Sequence, residues 1–380
     1  MAIHLKKLSD QVVVITGATS GIGLVTARMA AGMGARLVLV ARNEEALRAL
    51  TEELNSGGGR ATYVVADVGD QQAVAKIGQT AREQFGRIDS WINDAGVSIY
   101  GRLEDVPIED HRRLFETNFW GIVYGSLEAV RYMREEGGAI INLGAIASDR
   151  AMPLQGMFSA SKHAVKGFTD ALRMELEEAG VPISVTLIKP SAVDTPYAQH
   201  ARNYLASAPR SPAPLYAPET VARAILYATE HVERDVIVGG AGKVLSSMGA
   251  WAPRLTDKLQ ERTFFKAQQS ERAAQLNGAD ALYRPGTDLA ERGGEERYAR
   301  ERSIYTRARL HPVLAGALVA GAVMALRQSF DWNRFLTTPP EERPLRQRLR
   351  RFEKRMKAEA ASRKGEMEES ERMAAGVSRP

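Results

Sequence analysis

The sequence predicts an α/β fold: a doubly wound parallel sheet between two helical layers, with a helical C-terminal extension. Three observations carry this. Seven short apolar runs recur between residues 11 and 240, most of them β-branched without polar alternation, as strands buried on both faces require. Helical patterns of about 10–20 residues separate them, the arrangement that βαβ crossovers impose. The first run, 12–16, leads through a glycine-rich loop straight into a helical segment at 24–32.

Taken in order, the expected strands are 12–16, 37–40, 62–66, 90–93, 139–143, 184–188 and 236–238. The clearest helix is 160–179, ended by Val181-Pro182. The stretch 194–218 is rich in Pro and Ala and too long for a simple connector, so a lid is expected there. The domain is expected to span 1–250. A charged, arginine-rich extension follows at 251–311, with a turn signal at Arg284-Pro285-Gly286. An uncharged segment, 312–326, and a basic amphipathic tail, 327–380, complete the chain.

Composition narrows the function classes. The 380 residues include no cysteine, which excludes a disulfide scaffold, a thiolate metal site and a cysteine nucleophile. The six histidines show no metal-ligand spacing, so no metal is expected. The net charge of +5 lies wholly in residues 327–380, which hold 14 basic and 9 acidic side chains. The remaining body is neutral by formal count, and a nucleic-acid-binding core should carry its own basic face. The first ten residues, MAIHLKKLSD, lack the apolar core of a secretory signal, so a cytoplasmic location is expected.

The loop Thr16-Gly17-Ala18-Thr19-Ser20-Gly21-Ile22-Gly23 has glycines that permit a tight turn and close approach of a pyrophosphate to a helix N-terminus. Between a strand and a helix this points to a Rossmann-type dinucleotide site rather than to a bare turn. Together with Asn93-Asp94-Ala95-Gly96, Asn118, Ser159-Ala160-Ser161-Lys162 and 190–196, the loop makes the chain resemble the short-chain dehydrogenase/reductase family over roughly residues 8–240. The resemblance implies that Gly17, Thr19, Ser20, Gly21, Ile22 and Gly23 hold the cofactor's phosphates. It places Asp67 and Val68 beside the adenine, and gives Asn93, Ala95 and Gly96 the task of steadying the sheet next to it. Pro190, Val193 and Thr195 follow the sixth strand, with Thr195 on the nicotinamide carboxamide and Ser191 where the family usually has glycine. At the end of the second strand, where NAD-binding members place an acid, this chain has Ala41 followed by Arg42. An arginine there can pair with a 2′-phosphate, so the cofactor is expected to be NADP(H).

The family's tetrad is Asn, Ser, Tyr and Lys, with Tyr and Lys four apart on one helix face. The lysine ammonium lowers the tyrosine pKa, the tyrosine acts as general acid, and the serine binds the same substrate oxygen. Here Asn118 and Lys162 match. Phe158 stands at the tyrosine position and Ala145 at the serine position, so each lacks one oxygen. Three readings follow: a reductase for carbonyl or alcohol hydride transfer disabled by two substitutions; a natural NADP(H)-binding pseudo-enzyme acting as sensor or scaffold; or another hydroxyl, from Ser148, Tyr100, Tyr124 or Tyr197, in the missing role. The intact neighbourhood of Lys162, Asn118, Thr195 and the glycine loop favours the first.

Substrate contacts are expected from Met152 and Leu154 on one wall and from Tyr197 and Tyr204 in the lid, suiting an apolar carbonyl or alcohol. The resemblance also implies a homodimer or homotetramer built partly on the helix bearing Lys162. In the tail, Leu345, Leu349, Phe352 and Met356 form one apolar stripe among eight basic residues at 343–357. Residues 312–357 are therefore read either as docking on the protein or as lying peripherally on an anionic membrane surface. Fifteen uncharged residues reach about 22 Å as a helix, short of a bilayer core.

Overall fold

All seven expected strands form, and all seven lie in one parallel sheet. The computed structural model describes residues 3–274, 280–286, 289–294 and 298–311, with Ala315, Gly316 and Lys354 beyond them. Through the first half run β1 (Val12–Thr16), α1 (Gly21–Gly32), β2 (Arg36–Ala41), α2 (Glu44–Ser56), β3 (Arg60–Val65), α3 (Gln71–Phe85) and β4 (Ser90–Asn93). A two-residue β5 (Ile99–Tyr100) and α4 (Ile108–Phe115) follow, then α5 (Gly121–Met133), β6 (Gly138–Leu143), α6 (Gly156–Glu178) and β7 (Ile183–Pro190). The order across the sheet places β4 beside β1 on one side and β2 on the other. The chain reverses its winding between β1 and β4, and in open α/β sheets ligands bind outside the strand C-termini at that point.

Alternate residues of β1 face opposite layers. Val13 and Ile15 pack in one apolar cluster with Leu24 and Ala27 of α1, whereas Val12 and Val14 pack in a second with Ile77 of α3 and Leu172 of α6. Both faces are thus dry, which is why the runs lack polar alternation. Each such side chain contributes about 1.5–3 kcal/mol when fully buried.

The lid expected at 194–218 is stitched down rather than free. Within it, β8 (Arg202–Asn203) pairs with β5, while β9 (Ser207–Pro209) and β10 (Leu215–Tyr216) pair with strands from beyond the sheet. After α7 (Pro218–Glu230) and β11 (Asp235–Val238) come two helices, α8 (Gly240–Trp251) and α9 (Pro253–Ala267). The lid's partners are β12 (Gln269–Ala273) on β9 and β13 (Ala299–Arg300) on β10, and α10 (Ile304–Leu310) follows them. The compact unit that holds the sheet extends to His311, so 251–311 folds into it. The readings made for 312–326 and 327–380 lie almost entirely outside the described residues. Among the described residues no helix is long and apolar enough to cross a membrane.

Candidate active site

A cleft of about 530 Å³ opens at the C-terminal ends of the strands. Gly17, Thr19, Ser20, Gly21 and Ile22 line it, as do Arg42, Asp67, Val68, Ala95, Gly96, Lys162, Pro190, Val193 and Thr195. Most of the expected cofactor residues therefore converge on one space. Gly17 and Gly21 both adopt positive φ, +73° and +52°, and a Cβ on Gly17 would come within 2.9 Å of the Ala95 backbone. The cradle suits a dinucleotide phosphate, since its two positive-φ glycines bring backbone to the cleft beside the Thr19 and Ser20 side chains.

Two expected residues sit one layer below. Gly23 packs on the Gly17 carbonyl, where no side chain fits. Asn93 is buried and ties β4 to β6: its amide donates to Asn142 Oδ1 at 2.9 Å and its oxygen accepts from Trp91 Nε1 at 2.8 Å.

Helix α6 sets Phe158 and Lys162 one turn apart on the cleft wall. Lys162 Nζ donates to the Leu143 carbonyl at 2.7 Å and lies 5.8 Å from the Phe158 ring centre. Ala145 lines the same wall. Asn118 lies in a π-helical turn, Glu116–Trp120, and clasps Val97 through both backbone groups at 2.8 and 2.9 Å. Such wide turns frequently mark functional positions.

Burial pushes the Lys162 ammonium down to about 8, opposed by the nearby Asp94 carboxylate. Burial likewise pushes Asp94 up to about 7, opposed by Lys162 and by the Gly23 N–H. Asp94 was legible only as one position of the Asn93-Asp94-Ala95-Gly96 motif; its proximity to the Lys162 charge needed the fold. A carboxyl whose folded pKa exceeds its unfolded value holds its proton longer when folded. Stability therefore falls as pH rises from about 4 to about 7. Asp94→Asn should flatten that part of the pH–stability curve, by a few kcal/mol at most, because Lys162 offsets part of the cost. Chemical denaturation across that range checks it, and an unchanged slope would refute the assignment.

Of the rival hydroxyl side chains, Tyr100 lines the cleft, its ring edge-on to Tyr197, and the other three have engagements of their own. Ser148 Oγ accepts from the Ala145 N–H at 3.2 Å. Tyr124 stacks on Trp120. Tyr197 does line the cleft, with its ring 5.5 Å from that of Phe158, but its hydroxyl lies 2.7 Å from Ser98 Oγ and donates to Gln155 Oε1 at 2.9 Å. Burial raises its pKa well above the usual value, which weakens it as an acid.

On the substrate side Met152 and Tyr197 line the cleft, but Leu154 and Tyr204 do not. Leu154 takes a positive φ of 63° and gives its carbonyl to Gly101 N, so its backbone serves the turn. Tyr204 packs on the apolar cluster of Val97 and Val106 and donates to the buried Asp110 at 2.5 Å. Val244, Leu245 and Met248 of α8 and Leu259 and Phe264 of α9 supply the apolar wall instead. They lie beyond the apolar strand runs, where the sequence shows a change in character and no motif. Ser191, in the family's glycine position, is accommodated by donating to the Gly239 carbonyl at 3.3 Å.

A sequence model described as short chain dehydrogenase matches residues 11–205, which carry this cleft. The chain belongs to the short-chain dehydrogenase family. Among family members, the uncharacterized Bacillus subtilis oxidoreductase YxnA is 48% identical over 324 residues, covering 84% of this chain and 91% of its own length. A 3beta-hydroxysteroid dehydrogenase of Mediterraneibacter gnavus is 32% identical over 196 residues, 51% of this chain and 70% of that one. In fold, the chain is similar to a short-chain dehydrogenase/reductase of Burkholderia phymatum solved with NAD. That pair has a TM-score of 0.60 and 23% identity, over 71% of this chain and all of the other. It is also similar to a Thermococcus sibiricus alcohol dehydrogenase solved with 5-hydroxy-NADP, at a TM-score of 0.53 and 24% identity over 60% and 95% of the two chains. Short-chain dehydrogenases are oxidoreductases that bind nicotinamide dinucleotides, and the cleft belongs to that class.

Proposed function

We propose that this chain descends from an NADP(H)-dependent reductase acting on an apolar carbonyl or alcohol, and that Ala145 and Phe158 leave it severely impaired as written. The observation that carries this reading is the retention of Lys162 and Asn118 in their places while the two oxygen-free side chains line the same cleft. Loss of function followed by drift would erode those neighbours as well.

The bound nicotinamide would supply or accept the hydride. The chain's own residues would bind and orient it: the 17–22 loop, whose Gly21 N–H must first exchange the Ala290 carbonyl for a phosphate, and Pro190, Val193 and Thr195, the last packed beside Gly21. Lys162 keeps a positive charge beside position 158 below a pH of about 8. No hydroxyl stands at 158 to pass a proton to the substrate oxygen, and none at 145 to hold that oxygen. The apolar wall of α8 and α9 selects for an uncharged substrate. The exposed apolar residues Leu127 of α5 and Met174 of α6 support a homo-oligomer formed on this helical face.

For the cofactor, Arg42 supports NADP(H): its guanidinium donates to the backbone carbonyls of Ala281, Leu282 and Arg284, neutral groups that leave its charge available. Asp67, the nearby acid, is paired with Arg113. Titration of NADPH and NADH against the chain and against Arg42→Ala tests this. The ratio of the two affinities should fall roughly tenfold in the variant, as loss of one charge-assisted phosphate contact predicts. An unchanged ratio removes Arg42 from cofactor choice.

A further inference from the structure

The stretches 280–286 and 289–294, far outside the 11–205 match, cross the cleft from the end of β2 to the segment after β7. Asn43 Nδ2 donates to the Gly286 carbonyl at 2.8 Å, and Arg113 Nε to that of Leu282 at 3.1 Å, next to the Arg42 contacts already described. The Gly21 N–H, at the start of α1, donates to the Ala290 carbonyl at 2.9 Å. On the far side the Gly293 N–H reaches Asp194 Oδ1 at 3.2 Å, and Gln199 donates to the Gly293 carbonyl. The segment is anchored by Leu282, fully buried in the apolar cluster of Val97 and Leu114, and by the Arg28–Glu291 ion pair at 2.6 Å. Yet it does not fill the cleft, because Ala281, Pro285 and Gly286 are part of its lining.

A wall that belongs to neither the sheet nor the lid, held over the ends of β2 and β3, covers the place where the adenosine half of a dinucleotide belongs. We infer that 280–286 and 289–294 form a clasp over the adenosine end of the bound dinucleotide, which leaves only when the clasp opens. The inference rests on the dinucleotide-binding reading above. The 48%-identical relative aligns over 84% of this chain, a span that necessarily includes these residues.

If the clasp holds the cofactor, loosening it away from the cleft should act on release more than on capture. Stopped-flow binding of NADPH to the full chain, to Leu282→Ala and to Glu291→Gln separates the two rates. The expected result is a dissociation rate raised about tenfold or more in Leu282→Ala, which loses a buried anchor, and about threefold in Glu291→Gln, whose ion pair is partly screened. Association should change less. Amide hydrogen exchange in 280–286 should slow when NADPH saturates the chain. Should Leu282→Ala prove poorly folded, Glu291→Gln and the exchange measurement still decide. Unchanged dissociation in the variants makes the segment a static wall and overturns the clasp. Tighter binding, or faster exchange with cofactor, marks a plug and overturns it too. Failure of the unmodified chain to bind either NADPH or NADH instead strikes the cofactor assignment, and the clasp with it.

Discussion

Ala145→Ser combined with Phe158→Tyr is expected to raise NADPH-dependent carbonyl reduction by at least about 10³-fold over the unmodified chain. A positioned general acid contributes roughly 10²–10⁴ in rate, and a hydrogen-bond donor to the developing oxyanion roughly 10²–10³. The two act on one oxygen, so their effects are not additive, and the double variant should fall short of the product. Phe158→Tyr alone should recover more than Ala145→Ser alone, because only the phenol can deliver a proton. The site can receive both oxygens: each residue lines the cleft, and Lys162 lies one helical turn from position 158 with its Nζ near the ring. The ammonium lowers a phenol's pKa only while it is charged, so the gain should depend on pH around 8, where Lys162 loses its proton. Oxidation of NADPH in the presence of a panel of apolar aldehydes and ketones reads the result. A double variant that binds NADPH and reduces none of them would refute the reductase lineage and leave the non-catalytic binder standing.

The parts of this molecule that were legible in the sequence are those whose physics is local. β1 and β4 occupy the residues expected, 12–16 and 90–93, because a dry run of β-branched residues between turn signals has few other uses. The glycine loop was legible because a positive φ and a missing Cβ leave a residue-type signature. Lys162 and Phe158 were legible as a pair because a helix makes residues four apart neighbours. What escaped depends on contacts across the chain. Leu154 and Tyr204 have the apolar character of a pocket wall, but a turn at one and an ion-pair network at the other point them elsewhere. Arg284-Pro285-Gly286 reads as a turn, yet only the fold shows that the turn lies against Arg42, 242 positions away. Asp94 escaped for a subtler reason. A carboxylate in place of an amide looks conservative until burial beside Lys162 makes its proton matter.

Two glycines on α1 should respond to the same substitution with opposite signs. Alanine is the better helix former by about 1 kcal/mol, so propensity favours Gly→Ala at both. At Gly32, exposed at the end of α1, a Cβ would meet nothing within 4 Å. Gly32→Ala should therefore stabilise the fold by about 0.5–1 kcal/mol. At Gly23 the Cβ would stand 2.2 Å from the Gly17 carbonyl oxygen and 2.8 Å from Asp94 Oδ2. Neither neighbour can swing aside. The first is backbone at a positive φ inside the glycine loop, and the second is a half-buried carboxyl that accepts from Gly23's own N–H and is attracted by the Lys162 charge. Relief requires α1 to move off the end of β1, which breaks the loop geometry on which dinucleotide binding depends. Gly23→Ala should cost about 3 kcal/mol or more, at the upper end of overpacking penalties, and abolish NADPH binding even where the fold survives. Denaturation midpoints for the two variants, with an NADPH titration of each, separate the effects. A Gly23→Ala chain as stable as Gly32→Ala, with undiminished NADPH affinity, would mean that the close packing of α1 against the loop is not what shapes the cofactor cradle.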